Sequence, residues 1–332
     1  MTVTIKDIAK VAGVSYSTVS KALNDSPLVK NNTKKKIVAI ADEMGYAPNF
    51  AAQHLVSKKS RIIGLIWPTI ERVVLATLVT KISNEINKTP YSMILSVDPI
   101  EKSLETFKKY KVDGAILFEE DVRVQITNFP SPILGYGVAG TTSSDYPVID
   151  PDHQQAILKA VTYLYELGHR KIAYVGFISQ NDPRQIGKYL GFKKALKKFD
   201  IEELNKQHVF NTEGLDWYDG YSAINKLLEL QNPVTAIVGG SYDISGGIIR
   251  GLKDKHIDIP QDISVISYDN IPQMENMEIP LTSVGVPIEE LAKEIVDTII
   301  KMVESDQPLP RVTMLTPSLA ERKSCAPVKR KQ

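Results

Sequence analysis

A single cysteine, Cys325, leaves the chain no internal disulfide to form. A fold held without that staple suits a reducing compartment. The five histidines (positions 54, 153, 169, 208 and 256) show neither metal-ligand spacing nor a catalytic pairing, and no phosphate-loop lysine motif occurs. No metal and no cofactor is therefore expected, and no residue stands out as catalytic. Apolar runs stop at strand length, so no membrane span is expected. The opening residues Thr2-Val3-Thr4-Ile5-Lys6 carry no apolar signal core, so export is not expected either. An excess of one charge is also missing, since 40 basic and 39 acidic side chains leave a net of +1.

What is present is enough apolar residue, 43% against 24% charged, to bury a sizeable core in two or three domains. The near-neutral total hides an asymmetry. Residues 1–61 hold ten Lys/Arg and four Asp/Glu, a net of +6, which leaves 30 basic and 35 acidic residues, a net of −5, for the rest. A small basic head on a mildly acidic body fits a nucleic-acid binder whose body has another task. The run Lys34-Lys35-Lys36 reads equally well as a solvated helix face and as a set of phosphate contacts.

Residues 4–24, TIKDIAKVAGVSYSTVSKALN, have the build of a helix-turn-helix. Thr4 and Asp7 match a capping box, which starts a helix at Ile5. Ile5, Ile8, Ala9 and Ala12 form its inward stripe. Gly13 supplies the turn, and Ser15 caps a second helix whose Val19, Ala22 and Leu23 face the same core. Tyr16, Ser17, Ser20, Lys21 and Asn24 are left pointing outward. A third helix is expected from about Thr33, with Ile37, Ile40, Ala41 and Met44 inward, and Gly45 stops it.

Beyond Ile62 the pattern changes. Strand-sized apolar runs at 62–67, 91–97, 114–118, 171–176, 235–239 and 263–267 alternate with helical stretches at 75–88, 101–110, 153–167, 187–199, 219–230 and 244–255. Such alternation predicts parallel sheets with crossover helices. About eleven strands are too many for one sheet of this kind, so two similar α/β lobes are expected. Residues 135–140 spell a literal GxGxxG after a short apolar run, the one hint of a dinucleotide-dependent enzyme. A pyrophosphate site needs a helix opening at that point, and the breaker-rich TTSSDYPVID follows instead.

The segment 1–60 resembles the DNA-binding headpiece and hinge of the LacI/GalR family of bacterial transcription regulators. The resemblance rests on Thr4, Asp7, Ala9, Ala12, Gly13, Val14, Ser15, Thr18, Val19, Ser20, Asn24, Thr33, Gly45-Tyr46, Pro48-Asn49, Ala52, Leu55 and Ser60. It continues through KVDGAILF (111–118), LYELGHRKIAYVG (164–176), ISVISYDN (263–270), IPLTSVGVP (279–287) and LAERKS (319–324), about 320 residues in all. It implies an α/β chain with an all-α helix-turn-helix headpiece at 1–46, a hinge at 47–60 and a two-lobed body at 61–332. That body is similar to periplasmic sugar-binding proteins, two parallel-sheet α/β subdomains around a cleft. The N-lobe is expected at about 61–149 and 286–316, the C-lobe at about 150–285 and 317–330, with crossings near 149–151, 285–287 and 316–318.

The same resemblance assigns roles. Tyr16, Ser17 and Lys21 stand where the family reads base edges, Lys21 replacing the more usual arginine with a point charge that lacks a rigid fork. Thr4, Ser15, Thr18, Ser20, Asn24, Thr33, Tyr46 and Asn49 match positions that touch phosphates or lock the head to the duplex. Ala52 allows a partner hinge to approach, and Leu55 matches a leucine that wedges into the minor groove. In the cleft, Asp269 matches an aspartate that bonds ligand hydroxyls. Lys188 replaces a ligand-binding arginine, with Arg184 nearby, and Ser241-Tyr242 replaces an Asn-Asp pair. Leu215 stands for a stacking aromatic, with Trp217 and Tyr218 close by. The expected protein is a cytoplasmic homodimeric regulator, a repressor of a carbohydrate-related catabolic operon. Its partners are a near-palindromic double-stranded DNA operator and a small-molecule effector, a sugar or sugar derivative. CAPVKRKQ at the end lacks leucine heptads, so a helical tetramer extension is not expected.

Overall fold

A computed structural model describes residues 3–23, 26–46, 59–118, 126, 128–137, 146–202, 205, 207–230, 233–305 and 307–328. The chain divides into two compact units, Met1–Ser60 and Arg61–Gln332.

In the first unit, α1 (Ile5–Ala12) begins at the capping box. The Thr4 backbone N–H and hydroxyl donate to the Asp7 carboxylate at 2.8 and 2.7 Å. These bonds hold the Asp7 carboxyl below its usual range. Gly13 takes φ +69°, a left-handed conformation open to glycine without strain, and turns the chain into α2 (Tyr16–Leu23). The Ser15 hydroxyl accepts the Thr18 N–H at 3.2 Å, capping α2. The third helix, α3 (Asn31–Glu43), starts at Asn31 rather than Thr33. The carbonyl of extended Lys30 accepts the N–H groups of Thr33 and Lys34, and the two asparagines occupy a first turn whose N–H groups need no intrahelical acceptor. Ile8, Val19 and Ile37, with Ala12, Ala22, Ala41 and Val29, make the small core.

The second unit carries two six-stranded sheets. Its elements run β1 (Ile62–Ile66), α4 (Val73–Ile86), β2 (Ser92–Ser96), α5 (Ile100–Tyr110), β3 (Gly114–Phe118), β4 (Ile133–Tyr136), β5 (Val148–Pro151), α6 (His153–Glu166), β6 (Ile172–Phe177) and α7 (Pro183–Lys198). They continue β7 (Val209–Thr212), α8 (Trp217–Leu228), β8 (Ala236–Gly239), α9 (Tyr242–Asp254), β9 (Ser264–Tyr268), β10 (Thr282–Gly285), α10 (Ile288–Glu304), β11 (Val312–Leu315) and β12 (Ser318–Ala320). The first sheet is ordered β11-β5-β4-β3-β1-β2, all parallel. The second is ordered β12-β10-β9-β8-β6-β7, parallel except for antiparallel β12. Central β3 and β9 are buried at every position, as strands of a parallel sheet covered on both faces must be.

The six apolar runs named from sequence are β1, β2, β3, β6, β8 and β9. The other six strands span three or four residues each, as does β8, which alone of the short strands lies in one of the named apolar runs. Three links join the lobes: Pro151 to His153, Gly285 to Ile288, and Leu315 to Ser318. Within the second lobe α8 and α9 meet backbone to backbone. A Cβ on Gly220 would lie 2.0 Å from the Ile244 carbonyl oxygen, and one on Gly247 2.0 Å from that of Trp217. The residues of the GxGxxG that would have to open a helix, from 138 on, lie outside the described residues, and Gly135 and Tyr136 belong to β4.

Candidate functional site

The outer face of α2 is set by where its core residues point. Val19 and Ala22 are buried, so Tyr16, Ser17, Ser20 and Lys21, at i, i+1, i+4 and i+5, share the opposite side. Tyr16 is 52% exposed. Ser15 does more than cap, since its hydroxyl also meets those of Ser17 at 2.9 Å and Thr18 at 2.8 Å. Thr18 is half-buried, which leaves it a positioning role on this face. Thr33 is half-buried in the first turn of α3, and Tyr46 packs against the head core. Asn24, Asn49, Ala52 and Leu55 lie outside the described residues.

A cavity of about 130 Å³ lies between the lobes of the second unit, roughly ten times what one water requires. Its walls are apolar, with Leu75, Phe118, Ile271 and Leu291 among them, and its polar groups come mostly from the second lobe. Asp269, Lys188, Arg184 and Ser241 all line it. Tyr242 does not. Its part is to donate its backbone N–H to Asp269 Oδ2 at 2.8 Å. Leu215 lines the cavity, whereas Trp217 and Tyr218 face solvent from α8.

The two cations named from sequence are already engaged. Arg184 holds Asp182 through two nitrogens at 2.9 and 3.0 Å and lies 4.7 Å over the Phe118 ring of the other lobe. Burial raises the Asp182 carboxyl, but Arg184 outweighs it and leaves the group below its usual range. Lys188, 4% exposed, donates to the Gly240 carbonyl at 2.9 Å and to Gln185 Oε1 at 3.2 Å, and lies 3.9 Å over the Tyr268 ring. Burial pulls its pKa down to about 8, with the nearby Asp269 opposing the fall.

That shift sets a pH dependence. An unfolded lysine keeps its proton to about 10.5, the folded Lys188 only to about 8, so the unfolded chain binds more protons between those values. Stability therefore rises with pH across that window, and below it the penalty is fully present. Lys188→Met should flatten the rise by on the order of 3 kcal/mol. Urea unfolding at pH 7 and pH 10 reads this out, because the lost hydrogen bonds move the height of the curve and not its slope. Equal slopes for both proteins would show that Lys188 titrates normally.

Several cleft residues escaped the sequence reading. Gln185 is 5% exposed and lines the cavity. His153 joins Asp150 of β5 to Tyr268 of β9, at 3.0 Å from Nε2 and 2.6 Å from Nδ1. Burial holds the Tyr268 hydroxyl well above its usual pKa. Arg72, just before α4, reaches across the cleft to Asp243 of α9, Nε to Oδ2 at 3.3 Å. Each of these contacts needs the fold to be known first, and only Asp182, ahead of Pro183, left a local signal as a helix cap.

A helix-turn-helix head and a two-lobed body with a polar cleft define a class, the ligand-responsive DNA-binding regulators. Residues 4–49 match the lacI family of bacterial regulatory proteins, and residues 161–325 match a periplasmic binding protein-like domain. The chain is 31% identical over 301 residues to catabolite control protein A of Priestia megaterium, covering 88% of this chain and 90% of that one. It is 30% identical to the HTH-type transcriptional repressor PurR of Yersinia enterocolitica, covering 97% of each. It superposes on the lac repressor dimer bound to operator and the anti-inducer ONPF with a TM-score of 0.82, at 24% identity, covering 98% of this chain and all of that one. A LacI-family regulator from Enterococcus faecium with bound ribose gives 0.70 at 24% identity, covering 81% and 100%. The chain belongs to the lacI family of bacterial regulatory proteins. It is a DNA-binding transcriptional regulator and not an enzyme.

Proposed function

We propose that this regulator is a cytoplasmic homodimer that represses a carbohydrate-related catabolic operon, each head reading half of a near-palindromic operator. A sugar or sugar derivative in the interlobe cleft controls it. The observation that carries the reading is the cavity itself, which gathers Asp269, Ser241 and the α7 pair Arg184 and Lys188 from three segments of the chain around apolar walls. The bound ribose in the E. faecium regulator supports a sugar-like ligand, and the dimer of the lac repressor supports pairing. Pairing is also favoured by the exposed aromatic face of α8, where Trp217 stacks on Tyr221 at 5.3 Å and Tyr218 is 70% exposed. The hinge residues Asn49, Ala52 and Leu55, outside the described residues, are assigned to operator contact, and ligand binding in the cleft controls that contact. A thermal-shift screen of the purified protein against sugars, sugar acids and phosphosugars tests the cleft, because a ligand that binds the folded state raises its melting temperature. No shift with any of these compounds would remove the sugar reading.

Base readout is assigned to Tyr16, Ser17 and Lys21, while Thr4, Ser15, Thr18, Ser20, Asn24, Thr33 and Tyr46 position the head. Lys21→Ala should relax the base preference at one position of each half-site and cost about 1–3 kcal/mol on the best sequence. Selection from a randomised operator pool checks this. The same consensus from variant and parent would take Lys21 off the list of readers.

A further inference from the structure

The first lobe sends one charged side chain into the cavity among the described residues, Arg72. The second lobe lines it with Asp182, Arg184, Lys188 and Asp269, whose charges cancel. Asp243 stands beside them on the first turn of α9 and leaves that lobe one negative charge in excess. Arg72 supplies the balancing charge from across the cleft, and it does so in a shielded place. The two side chains are 25% and 15% exposed. Burial raises the Asp243 carboxyl, and Arg72 opposes that rise only in part.

The other contacts across the cleft among the described residues, the Asp150–His153–Tyr268 relay included, are of a different kind. Gln273 Nε2 donates to Thr77 Oγ1 at 2.9 Å, and Arg184 lies over Phe118. None of the three joins a carboxylate to an arginine or a lysine. Closing the lobes without Arg72 would press an uncompensated carboxylate into a low-dielectric cleft, which costs far more than exposing it. Arg72 uses only Nε in the pair. Its two terminal nitrogens meet no acceptor among the described residues, so oxygens of a ligand have donors that the clasp leaves free.

We infer that Arg72 and Asp243 form a charge clasp that holds the two lobes shut, with Arg72 the positioning residue through which the first lobe answers occupancy of the cleft. The inference rests on the cleft being the ligand site, but its test needs no ligand. Trp67 reports on closure. It is 1% exposed, lies 4.9 Å from Phe118 and stacks on Tyr136 at 5.9 Å, and both of those rings line the cavity. With Trp217→Phe in the full-length chain, Trp67 is the sole tryptophan.

Acrylamide quenching of Trp67 is then measured in this background for four proteins: the parent, Arg72→Gln, Asp243→Asn, and the charge-reversed pair Arg72→Asp with Asp243→Arg. Each single change should raise the quenching constant at least about two-fold, and the reversed pair should return it toward the parent, since rescue reports the pair and not either residue alone. A single variant that unfolds while the reversed pair folds and quenches like the parent supports the clasp as well. Single variants that quench like the parent would overturn it, as would a reversed pair that is as open as the singles or does not fold. A screen that finds no sugar ligand leaves this result standing, and a failed clasp leaves the ligand site standing.

Discussion

Asp269→Ala should give a protein that holds its operator and no longer answers its ligand. Asp269 follows β9 at φ +89°, half-buried at the cavity wall. Its Oδ2 is engaged by the Tyr242 N–H, while Oδ1 meets no donor among the described residues and is available to a ligand hydroxyl. Removing a buried acceptor leaves the ligand's donor unpaired, at about 1–3 kcal/mol per group. A ligand moves a two-state equilibrium only by its differential affinity for the two states, so losing this contact fixes the equilibrium where the free protein has it. Operator contacts belong to the other compact unit and should be kept. Alanine is poorly suited to the left-handed region, so Asp269→Asn is the companion. Asparagine tolerates that conformation and can still accept from Tyr242, which separates ligand loss from local misfolding. The measurement is operator affinity with and without a saturating compound from the screen. A full response in both variants would falsify the cleft assignment.

Gly247→Ala should destabilise the body more than any surface change. The new Cβ would stand 2.0 Å from the Trp217 carbonyl oxygen and 2.6 Å from the Tyr221 nitrogen. Both are backbone atoms, so no rotamer change relieves the clash and α8 must move away from α9. The gain of about 1 kcal/mol in helix propensity is outweighed by over-packing at the upper end of its usual range, about 3 kcal/mol. For a body of this size the net loss of about 2 kcal/mol lowers the melting temperature by roughly 4–8 °C. Gly246→Ala is the control. Its Cβ would meet only the Trp217 side chain, at 3.2 Å, and should change little. Calorimetry that found the two variants equally stable would show that α8 slides at no cost.

The head was legible because its signals are local: a capping box within four residues, a glycine turn and a short apolar stripe. The start of α3 was misjudged by the same logic, since no capping side chain marks Lys30. In the body five strands of five or six residues and the four-residue β8 announced themselves as apolar runs, and the other strands of three or four residues did not. The cleft was legible only where the family resemblance named a residue, as for Asp269 and Lys188. Arg72 and Asp243 lie 171 positions apart, and nothing in either neighbourhood points to the other. Arg184, named from sequence as a cation near Lys188, lines the cavity and is engaged by Asp182 two residues earlier. Local charge neighbours deserve weight before a cation is assigned to a ligand.

The last two strands carry a consequence for how the protein is made. β11 completes the edge of the first sheet and β12 the edge of the second, and both come from the final stretch of the chain. During synthesis the three described helices of the head are complete once residue 43 has emerged. Each lobe waits for its edge strand until residues 312–320 have emerged, after every other strand of its sheet. Until β11 and β12 emerge, β5 and β10 are the exposed edges of their sheets, and unpaired strand edges invite wrong partners.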